Sequence, residues 1–389
     1  MEHTTLPVGT HIDDLELISV LGTGGYGQVY LARSTDDDRL VAVKSLEQSK
    51  MEDRQRAFQK SEITLHSRLS GNPHIIQLER VIRSPDWTHV VLEYGSEGDL
   101  FEAITERDIY AGNHPLIRRV FLQLIDAVTY CHENGVYHRD IKPENILVFD
   151  GGRTIKLADF GLATTAAISK DYGCGSTFYF SPECQGDHAR ESNRVGYATA
   201  PNDVWALGVI LINLTTGRNA WQQASLKDDS FRAYLTDPEF LLNILPISRA
   251  LHRILKRVLC VDPLRRIGLK ELRERIQQCK YFTRTAEVDR WERLQEESRY
   301  RRVRVPKSHV PTMAAADCQE LPPSPPLTPR TYRSQSSVFS SGKASQQQET
   351  DATSSPPCTN EVSPDATHCL AKPGDHPDSL IPSLVTLVV

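Results

Sequence analysis

Residues 15–282 are expected to form an α+β fold in two lobes, and three observations along the chain predict it. From Leu15 to Tyr94, β-branched stretches (ISVLG, QVYLARS, LVAVKSL, HVVLEY) alternate with turn residues, which reads as a twisted antiparallel sheet. One helical segment interrupts that sheet from about Met51 to Leu69, where Phe58, Ile63, Leu65 and Leu69 supply an apolar face among charges. After Gly98 the character changes to long helical patterns, among them IRRVFLQLIDAVTYCHENG, DVWALGVILINLTTG and RALHRILKRVLC. A small β-rich lobe (15–94) with one main helix therefore precedes a larger, mainly helical lobe (95–282). No repeat at a period of 20 to 50 residues is visible.

Composition separates this part from its flanks. Of 389 residues, all four Trp lie at or before Trp291, whereas 13 of the 23 Pro fall between Pro306 and Pro382 in a stretch dense with Ser, Thr and Gln. Such a stretch lacks the apolar area that offsets ordering entropy, so 306–389 is expected to be a disordered tail. Residues 1–14 read as an N-terminal extension, and 283–305 as a helical, basic extension with a helix around Val288 to Tyr300.

The formal net charge of −5 argues against a chain held to nucleic acid by overall charge. Eight scattered Cys without a CxxC pair fit reduced thiols, and with them an intracellular location, cytoplasmic or nuclear. The acidic N-terminus reads as neither secretory signal nor membrane anchor, and the apolar end LIPSLVTLVV is too short to span a bilayer. Direct nucleic-acid and membrane contacts are not expected.

Transfer of a γ-phosphoryl group needs a phosphate cradle, metal-borne positive charge and a carboxylate that orients the attacking hydroxyl. Candidates for each occur in order. Gly22-Thr23-Gly24-Gly25-Tyr26-Gly27 is a GxGxxG string whose missing side chains let backbone N–H groups approach phosphate oxygens. A dinucleotide fold would need a helix directly afterwards, but Gln28-Val29-Tyr30-Leu31-Ala32 continues as a strand, so a hairpin folded over ATP is expected. Lys44, in Val41-Ala42-Val43-Lys44, lies on a strand where a lone lysine would ordinarily be a solvated edge residue; its spacing behind the glycines makes it a phosphate contact, with Glu62 as the carboxylate that fixes it.

The strongest string is Tyr137-His138-Arg139-Asp140-Ile141-Lys142-Pro143-Glu144-Asn145-Ile146-Leu147. In it Asp140 would orient the substrate hydroxyl, Lys142 would neutralise charge on the γ-phosphate, and Asn145 would hold a metal ion. Asp159-Phe160-Gly161 offers the second metal ligand, and a segment whose length suits a mobile activation element runs from there to Ser181-Pro182-Glu183.

Taken together, GTGGYGQV, VAVK, HRDIKPEN, DFG, SPE and DVWALG resemble the eukaryotic protein kinase family over residues 15–282. Lys142 two places after Asp140 resembles the Ser/Thr branch. The resemblance implies ATP and Mg²⁺ (or Mn²⁺) as cofactors and protein substrates with Ser or Thr acceptors. It adds Leu21, Val29, Ala42, Glu93, Tyr94, Asp99 and Leu147 to the nucleotide site, Asp99 meeting the ribose, with Leu92 as gatekeeper before the hinge Glu93-Tyr94-Gly95. It also implies that Ser176 supports Asp140 and Lys142, that Glu183 pairs with Arg266, and that Asp203 braces the catalytic loop. GCGSTFYFSPECQG, NDVWALGVILINLTTGRNAW and FRAYLTDPEFLLNILPIS look like the fungal kinases that repress sexual conjugation and meiosis, which implies a nutrient-, cell-cycle- or meiosis-linked signalling role.

Departures from the family pattern carry their own expectations. Tyr172 stands where many relatives carry a phosphorylated Thr, although Arg139 is present to receive a phosphate; the segment is therefore expected to order without phosphorylation, through Asp171 or aromatic packing of Tyr172. Glu144 and Asp99 sit where some relatives select an upstream Arg, whereas Asn213 replaces an acid used by basic-directed relatives. In the tail, Ser324-Pro325, Thr328-Pro329 and Arg333-Ser334-Gln335-Ser336 read as phosphorylation sites through which upstream kinases or regulatory proteins would act, and the basic run Arg299 to Lys307 reads as a solvated helix end or a nuclear localisation element. The rival readings are a pseudokinase scaffold, which should lack one of Lys44, Asp140, Asn145 or Asp159, and a small-molecule kinase, which should lack the SPE and DVWALG region.

Overall fold

The computed structural model describes residues 5–24, 27–49, 52–186 and 196–304, with no side-chain description from 299 onward. The expected tail at 306–389, with its phosphorylation motifs, lies outside the described residues, as does the tip of the glycine hairpin, Gly25 and Tyr26.

Strands β1 (His11–Ile12), β2 (Leu15–Gly24), β3 (Gly27–Ser34) and β4 (Leu40–Glu47) precede helix α1 (Asp53–Leu69) and strands β5 (Leu78–Arg83) and β6 (Trp87–Glu93). They form one antiparallel sheet in the order β1-β2-β3-β4-β6-β5. β4 is central and its residues are buried on both faces, which explains a near-continuous apolar run where a one-sided strand would alternate. One face of the sheet packs Val29, Ala42, Leu46, Val90 and Leu92 against Leu147 and Ala158. The other packs Leu15, Leu17, Tyr30, Val41 and Val43 against Ile12. Within the segment read as an extension, His11 and Ile12 join the sheet as β1, paired with β2, and the backbone N–H of Leu6 donates to the Tyr30 hydroxyl at 2.8 Å. The physical reason is the burial of Ile12, which completes an apolar face that β2 and β3 leave open at the edge.

The second lobe begins with α2 (Leu100–Thr105) and α3 (His114–Glu133), followed by the hairpin β7 (Ile146–Phe149) and β8 (Thr154–Leu157) and the short pair β9 (Ile168–Ser169) and β10 (Tyr197–Ala198). Five further helices are α4 (Thr199–Thr216), α5 (Asp229–Thr236), α6 (Phe240–Ile244), α7 (Arg249–Val258) and α8 (Leu269–Gln278). α3 starts where Asn113 accepts from the Leu116 N–H at 3.2 Å and Pro115 supplies a pre-set φ. It buries Ile117, Val120, Phe121, Leu124, Ile125 and Val128 at helical spacing, each contributing roughly 1.5–3 kcal/mol by burial. α4 is buried on all sides, its apolar run 204–214 interrupted only by Gly208 and Asn213, and it runs through the centre of the lobe.

A last helix, α9 (Ala286–Arg304), covers the segment read as a separate extension. It docks on the lobe: both carboxylate oxygens of Glu292 accept from the N-terminus of α7, from Arg249 N–H at 3.2 Å and Ala250 N–H at 2.9 Å. Ser248 caps only Leu251 there, so two orphan amides need an acceptor from elsewhere, and Glu292 also meets the positive end of the helix dipole. The cysteines among the described residues are free thiols, and none of the described helices is long and apolar enough to cross a membrane.

Candidate active site

The glycine string forms the expected hairpin. Gly22 pairs with Val29, Thr23 with Gln28 and Gly24 with Gly27. A Cβ on Gly27 would lie 2.3 Å from the Ser45 carbonyl oxygen, so a side chain there would force β3 away from β4. Beneath the hairpin, Leu21, Val29, Ala42, Leu92, Tyr94 and Leu147 come together in one apolar cluster. Ile76, Val90 and Ala158 share that cluster and went unnoticed in the sequence, because isolated aliphatics carry no sign of which cleft they line. Gly95 lies against Leu147, with room for no Cβ: it would sit 2.9 Å from Leu147 Cδ1. An aromatic base fits such a slot between lobes, with apolar walls and a backbone edge. The side chain of Glu93 points elsewhere, forming an ion pair with Lys156, so this residue offers a ligand only its backbone. Asp99 caps α2, its Oδ1 accepting from Glu102 N–H at 2.8 Å, and burial raises its carboxyl pKa.

Lys44, on β4, donates to Glu62 of α1 at 2.5 Å, and its Nζ lies 3.8 Å from Asp159 Oδ1. Burial works against the Lys44 charge, but Glu62 and then Asp159 outweigh it and hold the ammonium protonated. The same balance, with Lys44 as the dominant counter-charge and the Gly161 N–H donating at 3.2 Å, lowers the Asp159 pKa against burial. Asp159 adopts a left-handed backbone (φ 58°), which turns its carboxylate into the cleft while Phe160 is driven inward. Phe160 is fully buried between His66 (ring centroids 4.8 Å apart) and His138 (5.0 Å). His66 was missed by sequence reasoning; its only signal is its place one helical turn after Glu62, on the same face of α1. Its Nε2 lies 2.7 Å from the Ile76 carbonyl, and burial pushes its pKa down to about 4, so the neutral ring donates there.

Asp140 is held from below. Asp203, at the start of α4, accepts from the backbone N–H groups of His138 at 2.9 Å and Arg139 at 2.8 Å, and lies 2.8 Å from His132 Nε2. Around the Asp140 carboxylate, Oδ2 meets Lys142 Nζ at 3.0 Å and the Asn145 side-chain N–H₂ at 3.1 Å, and Lys142 also donates to Ser176 at 3.0 Å. Two oxygens remain without a protein partner although buried: Oδ1 of Asp140 and Oδ1 of Asn145. A buried acceptor left unpaired is costly, and its presence marks a place that a ligand completes.

The orphan Oδ1 of Asn145 and the charged Asp159 carboxylate suit a hard, oxygen-seeking cation. Among the described residues no group of three or more His, Cys, Asp or Glu forms a cage of its own. That is the donor set expected for Mg²⁺, which takes one or two protein oxygens and completes its shell with water and phosphate. Asn145 and Asp159 would hold it.

Further out, Glu183 and Arg266 form a bidentate pair at 2.5 and 2.9 Å, with the guanidinium over the Trp205 ring. Asn213 accepts from the Tyr179 hydroxyl at 3.2 Å and donates to Asn219 and the Arg218 carbonyl, so it is used within the lobe. Glu144 is mostly buried with one carboxylate oxygen unpartnered, and burial raises its pKa.

A model of the protein kinase domain matches residues 15–280. The chain belongs to the protein kinase domain family. Among curated proteins, this kinase chain is 48% identical over 288 residues to the negative regulator of sexual conjugation and meiosis of Schizosaccharomyces pombe, covering 70% of this chain and 61% of that protein. It is 36% identical over 253 residues to the serine/threonine-protein kinase VHS1 of Saccharomyces cerevisiae (62% and 54% covered) and 32% identical over 265 residues to CBL-interacting protein kinase 15 of rice (67% and 58% covered). The kinase chain thus spans roughly three-fifths or less of the length of these relatives.

Proposed function

We propose that this kinase transfers the γ-phosphoryl group of ATP to Ser or Thr hydroxyls of protein substrates, with Mg²⁺ as the metal. The observation that carries the reading is the arrangement around Asp140: one carboxylate oxygen tied to Lys142 and Asn145, the other without a protein partner. An incoming hydroxyl donating to that oxygen would be aimed by it and would lose its proton to it as its oxygen bonds the γ-phosphorus and the bond from that phosphorus to the β-phosphate oxygen breaks, leaving ADP. Lys142, fixed by Ser176, offsets charge gathering on the transferred group. Lys44, pinned by Glu62, holds the α- and β-phosphates as a point charge, while the apolar slot of Leu21, Val29, Ala42 and Leu147 excludes water from one side of the base. A metal held by Asn145 and Asp159 would supply positive charge to the phosphate oxygens.

The pseudokinase reading loses its main support, because Lys44, Asp140, Asn145 and Asp159 are all present and the first and last are in contact range. The part of Glu144 not satisfied within the protein favours substrates with a basic side chain upstream of the acceptor. The meiosis-repressing relative, together with the Ser/Pro-rich tail, supports a regulatory signalling kinase inside the cell, acted on by upstream kinases through that tail.

The test uses the full chain, radiolabelled ATP, Mg²⁺ and a degenerate Ser/Thr peptide library, beside an Asp140→Asn variant. Label should enter peptides with wild type and fall by about 10³-fold in the variant. Equal labelling by both proteins would remove the reading, and indifference of the library to Arg and Lys would remove the basic preference.

A further inference from the structure

Arg139 immediately precedes the proposed base, has a left-handed backbone (φ 67°) and is 7% exposed. A guanidinium cannot shed its charge, so once buried it needs both acceptors and an anion. Its Nε donates to the Leu162 carbonyl at 2.7 Å, and its Nη1 donates to Ser169 Oγ at 2.9 Å and to Asp171 Oδ2 at 3.0 Å. Ser169 closes the loop: its hydroxyl donates to the same Asp171 oxygen at 3.3 Å and accepts from the Asp171 N–H at 3.1 Å. Burial works against the Arg139 charge, and Asp171 is the leading influence that restores it.

The neighbouring contacts make this more than a passing surface pair. β9 and β10 pair Ser169 with Tyr197, and Tyr172 lays its ring 5.8 Å from that of Tyr197 while its hydroxyl accepts from Gly196 N–H at 2.9 Å. Ser169 itself is 5% exposed and its hydroxyl already takes part in three hydrogen bonds, so it is poorly placed to receive a phosphate.

We propose that Asp171 is a positioning residue that supplies, from within the chain, the anion that Arg139 requires, so that the loop carrying Asp140 reaches its working geometry with no phosphate on the segment between Asp159 and Pro182. The inference rests on the kinase reading and deepens it: the enzyme is constitutively poised, and regulation must enter elsewhere. Because the Asp171 side chain is 65% exposed, solvent weakens the pair, and the expected effect is moderate.

The experiment takes the full chain before and after phosphatase treatment, with intact mass confirming the absence of phosphate, and measures kcat and the peptide and ATP KM. Dephosphorylated wild type should keep at least about half its kcat. Asp171→Asn should lower kcat on the order of 10-fold with ATP KM changed less than about 2-fold, Asp171→Glu should restore most of the loss, and the neighbouring exposed Lys170→Ala should match wild type. Hydrogen exchange without nucleotide provides a second readout: the amides of 169–173 should exchange faster in Asp171→Asn than in wild type. Loss of wild-type activity on phosphatase treatment, or an Asp171→Asn protein with unchanged kcat and unchanged exchange, would overturn the proposal. A chain inactive in every form, with segment amides that still respond to Asp171→Asn, would instead sink the kinase reading on which the proposal stands.

Discussion

Two clusters of ion pairs sit on opposite faces of the same six-stranded sheet, and they differ in what surrounds them. In the cleft, Lys44 and Glu62 are 11% and 18% exposed and lie near Asp159, with charges that match across strand, helix and loop. On the outer face, Arg39 pairs with Glu79 and Arg80 with Asp14 beside a shallow cavity of about 180 Å³, and Arg39 is 49% exposed. The chemistry of the pairs is alike. At similar separations, two unit charges attract by about 1 kcal/mol in bulk water and about 4 kcal/mol at the effective dielectric of a protein surface, so burial rather than pairing decides what each cluster is worth. The comparison teaches that a hollow rich in charge need not be the working site: the outer cavity is lined by side chains already paired with one another, whereas the cleft keeps acceptor oxygens without a partner.

The largest test of that contrast is Lys44→Met. Removing a charge held by two carboxylates should lower kcat/KM by roughly 10²–10³-fold, read from peptide phosphorylation, with little change in fold by circular dichroism. A loss under tenfold would mean that the cleft pair is no more than its outer counterpart. Next, the Glu183–Arg266 pair extends the burial rule to the second lobe, the two side chains being 10% and 1% exposed. Glu183→Ala strands the guanidinium and should cost about 3 kcal/mol of unfolding free energy in urea titrations.

A third prediction concerns pH. The His66 pKa of about 4 in the folded chain lies below the 6.5 of a free imidazole, so as pH falls the unfolded chain takes up the proton first. The stabilisation from the neutral ring is therefore complete above pH 6.5 and is lost as pH falls toward 4, on the order of 3 kcal/mol in all. Urea midpoints measured from pH 7.5 to 4.5 should fall, and His66→Gln should flatten part of that slope. The smallest effect belongs to the outer face. Arg39→Gln should change stability by less than about 0.5 kcal/mol and leave kcat/KM at the wild-type value. A larger loss, insensitive to salt, would show that the outer cluster is coupled to the cleft.

Much of this was legible in the chain because phosphoryl-transfer chemistry packs its polar residues into short strings. The alternation of β-branched stretches predicted the first lobe, and HRDIKPEN placed Asp140, Lys142 and Asn145 within one loop, where the structure has them in mutual contact. What escaped was whatever depends on packing from afar. The edge strand β1 follows from a single buried Ile12, the docking of α9 from two α7 amides that needed Glu292, and the position of Phe160 from two histidines far apart in sequence.

The amino-acid order alone determined which residue types stand at which spacing, and through them the two-lobed fold and the polar groups available for catalysis. Only the tertiary structure decided which of those groups meet: that Lys44 reaches Glu62 and approaches Asp159, that the Glu93 side chain turns away toward Lys156, that Asn213 is consumed within its own lobe, and that Asp171 lies against Arg139. The reason is physical. Local strings set backbone geometry within a few residues, whereas ion pairs and orphan acceptors depend on distance and burial, which arise when segments far apart in sequence close around a shared core.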